Sequence, residues 1–107
     1  MQVLLQGRSL DQGDIANAIL KIVSNDQAME VLRTTIEAPK SAWEISTITR
    51  IPLTQVYRWV RRLHKVGFVR VTGATNSAGK KYFMYQSKVG TIKVSLSAYP
   101  AMQVEIS

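Results

Sequence analysis

Cysteine is absent from the 107 residues. That excludes disulfides and thiolate metal sites, and it permits a reducing compartment. Histidine occurs once, at His64, so one chain holds no multi-histidine metal cluster. No run approaches the roughly 18 uncharged apolar residues that a membrane span requires. Residues Met1 to Arg8 have no basic stretch ahead of their short apolar run, so they do not read as a signal peptide. A cytoplasmic protein is expected. The most telling absence is local: between Ile45 and Val104 there is no Asp or Glu. The cations of that stretch are Arg50, Arg58, Arg61, Arg62, Lys65, Arg70, Lys80, Lys81, Lys88 and Lys93. Up to Glu44 the chain is mildly acidic, and the formal net charge of the whole is +7. An acid-free basic half points to an anionic partner rather than to charge balance for its own sake.

What is present centres on Ile51 to Lys65. At about 100° per residue, Leu53, Val56, Val60 and Leu63 share one side of a helix, the spacing of a core-facing stripe. Thr54, Arg58, Arg61 and Lys65 fall opposite, flanked by Gln55 and Arg62. Tyr57 and Trp59 lie on the two borders of the stripe. Solvated helices usually interleave both signs, whereas this face has one. It suits a helix that lies on a polyanion while anchored to a small core.

The chain length allows one domain with a modest core. Met1 to Leu10 read as an arm or an added strand. Ser9 and Gln12 have capping-box spacing. Ile15, Ala16, Ile19, Leu20 and Val23 then predict a helix over about 11–23. A second capping box at Ser24 and Gln27 opens an amphipathic helix whose inward residues are Ala28, Val31, Leu32, Thr35 and Ile36. Its charged face, with Asp26, Glu30, Arg33 and Glu37, pairs with itself. Ala38-Pro39 ends it.

A third box, Ser41 and Glu44, predicts a helix over about 41–48 with Ile45 and Ile48 inward. After a tight connection, Pro52 stands in the first turn of the next helix, about 52–65, and Gly67 stops it. Two helices so joined form a helix-turn-helix pattern. Phe68 to Thr72 and Lys80 to Gln86 predict two strands around a flexible tip at 73–79, a hairpin in the position of a wing. Ile92, Val94 and Leu96, then Met102, Val104 and Ile106, alternate with polar residues across a turn at Tyr99-Pro100. They predict a second hairpin with one apolar face. That face either closes the chain's own core or pairs with a second copy.

This order resembles the winged helix-turn-helix domains of prokaryotic transcription regulators, most nearly the ArsR-like regulators common in archaea. The residues that carry the resemblance are Ala28 to Ile36, Ala42-Trp-Glu-Ile45, Ile51 to Arg58, and Leu63 to Arg70, the passage from recognition helix into wing. It covers about residues 24–86. The expected fold is therefore α+β, a winged helix-turn-helix over 24–86 with an N-terminal arm and extra helix over 1–23 and a C-terminal β-hairpin over 87–107. Two departures stand out. Metal-sensing members use cysteine and histidine ligands, whereas this chain has no cysteine and a single histidine, and many relatives place a dimerisation helix where this chain has strand patterns.

The resemblance implies a regulator that binds double-stranded DNA, with helix 52–65 in the major groove and wing 68–86 on the backbone or minor groove. Thr54, Gln55 and Arg58 are the base-contact candidates, arginine forking onto guanine and glutamine onto adenine. Arg61, Arg62, Lys65, Arg70, Lys80 and Lys81 are backbone candidates. Tyr57 joins them through its hydroxyl, and Ser41 through the helix N-terminus that it caps. A homodimer would double the footprint, through the N-terminal helix and the C-terminal hairpin. No cofactor, catalytic spacing or metal site is read, so an enzyme is not expected.

Two other uses remain open. A winged helix can serve as a protein-contact module in a transcription or replication assembly, which needs exposed apolar patches. Single-strand or RNA binding needs aromatics interleaved with cations on one face. Tyr82, Phe83 and Tyr85 would supply those only on a bare wing, and the wing is expected to be covered. Trp43 falls off the inward face of its helix and is expected to pack on the preceding one. Trp59 is expected as core filler, and His64 as a surface or capped histidine.

Overall fold

The apolar spacings resolve into four helices and five strands in a computed structural model that describes residues 10–95 and 103–107. The N-terminal arm up to Ser9 with its capping box, the positions Leu96 and Met102, and the turn at Tyr99-Pro100 lie outside the described residues, as do the side chains of Ile15, Ala16, Val94 and Val104.

Helix α1 (Leu10–Val23) buries Ile19 and Ile22 and leaves Leu20 at its rim. Helix α2 (Asp26–Thr34) is capped by Asn25, whose Oδ1 accepts from the Ala28 N–H at 3.1 Å. The cap is thus one residue later than the expected Ser24, whose hydroxyl instead donates back to the Lys21 carbonyl. Ala28, Val31 and Leu32 face inward as the spacing predicts. Ile36 does not, because the helix ends at Thr34 and the helical period no longer applies to it.

Strand β1 (Lys40–Ser41), two residues long and absent from the sequence reading, leads into α3 (Ala42–Thr49). The predicted capping box is complete. The Ser41 hydroxyl accepts from the Glu44 N–H at 3.1 Å, and the Glu44 carboxylate accepts from the Ser41 N–H at 3.0 Å. Ala42 and Ile45 are buried, but Ile48 is 57% exposed, contrary to expectation. The helix is only eight residues long, and its inward arc runs through Ala42, Ile45 and the half-buried Ser46 and Thr49. These polar residues staple the turn. Ser46 Oγ donates to the Ile51 carbonyl, and Thr49 Oγ1 accepts from the Ile51 N–H. Between them Arg50 adopts a left-handed conformation, φ 63°.

Helix α4 (Leu53–Lys65) follows, with Pro52 at its N-cap rather than inside its first turn. It ends in a Schellman closure: Gly67, at φ 84°, donates to the His64 carbonyl, and Phe68 donates to the Leu63 carbonyl. The chain then enters β2 (Val69–Thr75), which pairs antiparallel with β3 (Lys81–Ser87). The sheet order is β1-β3-β2. Strand β2 runs three residues further toward the tip than expected, and β3 starts one residue later, so the tip shortens to residues 76–80. Asn76 closes it, its Oδ1 accepting from the Ala78 and Lys80 N–H groups at 2.9 Å each.

Strands β4 (Ile92–Ser95) and β5 (Gln103–Ile106) form the second hairpin, with Ile92 opposite Ile106. Ile106 is buried in the core that contains Ile19, Ile22, Leu63 and Phe68, and Ile92 packs against it. The base of this hairpin therefore closes the chain's own core. The ensemble is an α+β winged-helix fold, three helices and a β-wing with a helix before them and a hairpin after them.

One buried polar residue ties the two layers. Thr35 is fully buried at the end of α2. Its hydroxyl donates to the Val31 carbonyl, and both its carbonyl and its hydroxyl accept from the Ser87 N–H. Thr35→Val keeps the shape and removes the hydroxyl. Stability is expected to fall by about 1–2 kcal/mol with an unchanged denaturant slope. An unmoved denaturation midpoint would show that the carbonyl alone holds Ser87.

Candidate nucleic-acid interface

Helix α4 carries the site. Its buried residues are Val56, Trp59, Val60 and Leu63. At about 100° per residue they span an arc whose centre is displaced toward Trp59 from the one expected. Leu53 consequently sits at the edge of that arc and is 37% exposed, and Trp59 is drawn in to 8%. The point opposite the arc falls among Thr54, Arg58, Arg61 and Lys65, all exposed. The displacement thus places the cationic face squarely outward.

The Trp59 side of α4 is held by a polar relay. The Trp59 indole N–H donates to Gln27 Oε1 at 3.1 Å, and Gln27 Nε2 donates to Gln55 Oε1 at 2.7 Å. This bolts the first turns of α2 and α4 together. Gln55 is therefore half-buried, with its carbonyl oxygen engaged inside the protein. Arg62 lies over the Trp59 ring, 5.3 Å from its centroid, a cation–π contact that orders the guanidinium while leaving it exposed. Lys21, Arg58 and Arg62 surround the depression between α2 and α4.

The other side of α4 faces the wing. Ser41, Tyr57, Lys80 and Lys81, four of the backbone candidates, line one cleft of about 690 Å3 between the start of α3 and the wing. Tyr85, on β3, forms its floor. Burial chiefly raises the Tyr85 phenol pKa above its ordinary value, and neighbouring Tyr57 adds to this while Arg61 opposes it. Arg61 acts on Tyr85 electrostatically but does not itself line the cleft. Arg70 is separate: it pairs across the sheet with Gln86, on the face away from Tyr85, and lies near Lys88.

Electrostatically the face is uncompensated. Among the described residues the only ion pair joins Glu30 to Arg33 on α2. α4 has no acid in its first turn and no side-chain cap. Glu44 is the nearest acid in sequence, and its carboxylate is engaged by the Ser41 N–H. His64 is exposed, with Nδ1 3.1 Å from the Val69 carbonyl, the capped surface histidine expected.

Sequence reasoning missed the aromatics. Trp43 is 67% exposed and Phe83 62%, with Tyr57 and Tyr82 also open. Trp43 does not pack on the preceding helix; it lines the wing cleft with Tyr57, Tyr82 and Phe83. The wing is bare along this edge, where a covered one was expected. A signal was present. Gly73 stands opposite Phe83 in the register, so no side chain crosses from β2 to cover the ring.

No helix among the described residues is long and apolar enough to cross a membrane. No family model matches the chain, and no curated protein matches it significantly. Among solved structures, the crystal structure of NolR from Sinorhizobium fredii superposes with a TM-score of 0.59 over 82% of each chain, at 14% identity. That likeness is one of fold.

The raised Tyr85 pKa has a consequence in alkali. The unfolded chain loses the phenol proton first, so the folded state gains nothing from Tyr85 below the ordinary phenol value that it does not lose above it. Stability contributed by the neutral phenol is full below about pH 10 and declines as pH rises through the folded pKa. Ultraviolet titration should show one tyrosine ionising late, and Tyr85→Phe should flatten part of the alkaline loss of stability. An identical alkaline profile in the variant would place the late phenol elsewhere.

Proposed function

We propose that this protein is a sequence-specific regulator of transcription that binds double-stranded DNA. The observation that carries the reading is the outward face of α4: Thr54, Arg58, Arg61 and Lys65 are exposed, with no carboxylate partner among the described residues, on a helix whose other face is locked into the core. In this reading α4 enters the major groove. Arg58 and Thr54 reach base edges, and Arg61, Arg62 and Lys65 hold phosphates. Gln55 reads an adenine only by giving up its bond to Gln27, so its part in discrimination is smaller than that of Arg58. Lys80 and Lys81 bring the wing to the adjacent backbone or minor groove, with Ser41 and Tyr57 at the rim of the same cleft. Arg70 contacts backbone only where the DNA curves past the far sheet face.

The reading extends to an ArsR-like regulator of the archaeal type, acting in the cytoplasm as a homodimer on a pseudo-palindromic site. The exposed part of α1 and the hairpin β4–β5 would form the dimer contact. Cysteine-based metal sensing is excluded by composition, and no catalytic role is assigned.

Titration of labelled duplex DNA by fluorescence anisotropy at several salt concentrations tests the reading. Each phosphate neutralised should add about 0.9 to the log–log salt slope. The Arg58/Arg61/Lys65→Ala variant should lose most of the affinity. Arg58→Ala alone should narrow the gap between preferred and scrambled sites by about 1–3 kcal/mol. Weak binding that ignores these substitutions would move the function to protein contact. Light scattering at working concentration should give twice the chain mass; a monomer would remove the palindrome from the model of binding.

A further inference from the structure

The cleft between α3 and the wing has a composition that duplex reading does not use. Five of the chain's eight aromatic residues line it: Trp43, Tyr57, Tyr82, Phe83 and Tyr85. Four of them are exposed, Trp43 and Phe83 by more than half. Exposing large aromatic faces beside one another is unfavourable in water, and on a small domain such a patch marks a binding surface.

The lining distinguishes between occupants. A groove for an apolar peptide helix is rich in aliphatic side chains that take up its anchors. Here no Leu, Ile, Val or Met contributes, and the apolar remainder is Ala42 and Ala74. What is present is aromatic rings, hydroxyls and two lysines, with no carboxylate. Flat rings suit flat bases, and ammonium groups suit the phosphates between them. At about 690 Å3 the cleft falls within the range that holds a small organic ligand. Gly73 leaves it open, since nothing lies within 4 Å of where its Cβ would be.

We infer that this cleft receives unpaired nucleobases, stacking them on Trp43 and Phe83 while Lys80 and Lys81 hold the adjoining phosphates. The inference rests on the DNA-binding reading and sharpens it: the preferred target is a duplex with an unpaired stretch beside the segment that α4 reads. A base still paired within a duplex presents only its edges and cannot enter. An overhang, a mismatch bubble or a melted step can present its face.

The test compares a blunt duplex, the same duplex carrying a short mismatch bubble, and the single strand. Each is titrated with the unsubstituted protein and with Trp43→Ala, Phe83→Ala and Gly73→Val. Gly73→Val retains every aromatic ring and fills the floor of the cleft from the opposite strand, at a position with free space and no positive φ. The bubble should bind more tightly than the blunt duplex by roughly 5- to 150-fold per base stacked. That gain should vanish in all three variants while blunt-duplex affinity stays unchanged. The emission of the exposed Trp43 should be quenched by the bubble and the single strand but not by the blunt duplex, and quenching should be lost in Gly73→Val.

Equal affinity for bubble and blunt duplex would overturn the inference and leave duplex reading intact. Aromatic variants that weaken every DNA alike would also overturn it, since they would then act through the fold. Single-strand binding that needs Trp43, with no duplex binding, would uphold the cleft and remove the duplex reading. Binding to none of the three would remove both and leave the cleft to a protein partner.

Discussion

The cost of burying an unpaired guanidinium or ammonium group, several kcal/mol each, governs the arrangement of this protein. Four of the thirteen residues of α4 are cationic arginines or lysines, and none has a carboxylate partner among the described residues. The helix can rotate about its axis only within the range that keeps all of them wet. Val56, Val60 and Leu63 leave some freedom within that range. Trp59 removes it, because its large ring gains most from burial and its indole N–H must still be bonded inside. Gln27 supplies that bond, and Gln55 completes the relay. The orientation of the basic face is therefore set from the opposite side of the helix, by one tryptophan and two glutamines.

This explains which features were legible in the sequence. Helix existence, the capping box at Ser41, the stop at Gly67 and both hairpins follow from local spacing and turn chemistry, and the backbone obeys them. The opposing faces of α4 were legible too, because charge admits no compromise. Finer rotation was not. Leu53 and Ile48 read as inward on their own helices, but inwardness is decided by what lies across from them. The Trp59–Gln27 bond, between residues thirty-two apart, turns α4 so that Leu53 moves to the rim. In α3 the inward arc is taken by the polar staples of the turn, so that Ile48 is left outside. Strand β1 is two residues long and exists only because β3 offers it an edge.

The aromatic cleft was illegible for a related reason. Aromatic residues in strands read as core or sheet cover, and in the inner half of β3 that holds: Tyr85 is buried, opposite Val71. Toward the tip the hairpin projects beyond the helices and the same alternation has nothing to pack on. Phe83 meets Gly73, Tyr82 meets Ala74, and the rings stay open. Trp43 points to the same space from α3. The length of β2 and β3, fixed by the Asn76 closure, carries these residues past the core. A two-strand wing cut at Thr72, as the residue pattern alone predicts, would have lacked the cleft.

Cations and aromatics act over different distances, and in the proposed mode of binding their placement on α4 and the wing would give each a stage. Charge attraction extends about a Debye length, ~10 Å at moderate salt, and tolerates imprecise approach. In that mode it would gather a polyanion to the α4 face, indifferent to sequence and to pairing. Stacking needs contact, and a paired base shields its face from it. Tyr57, on α4, lines the cleft, so a strand held on α4 would lie within reach of Trp43 and Phe83 once it opened. In the proposed mode, discrimination between duplex and opened DNA would come from the second stage alone. Such a division would let the protein tolerate changes in the basic face as changes in affinity, and would make the small opening left by Gly73 the element on which the distinction turns.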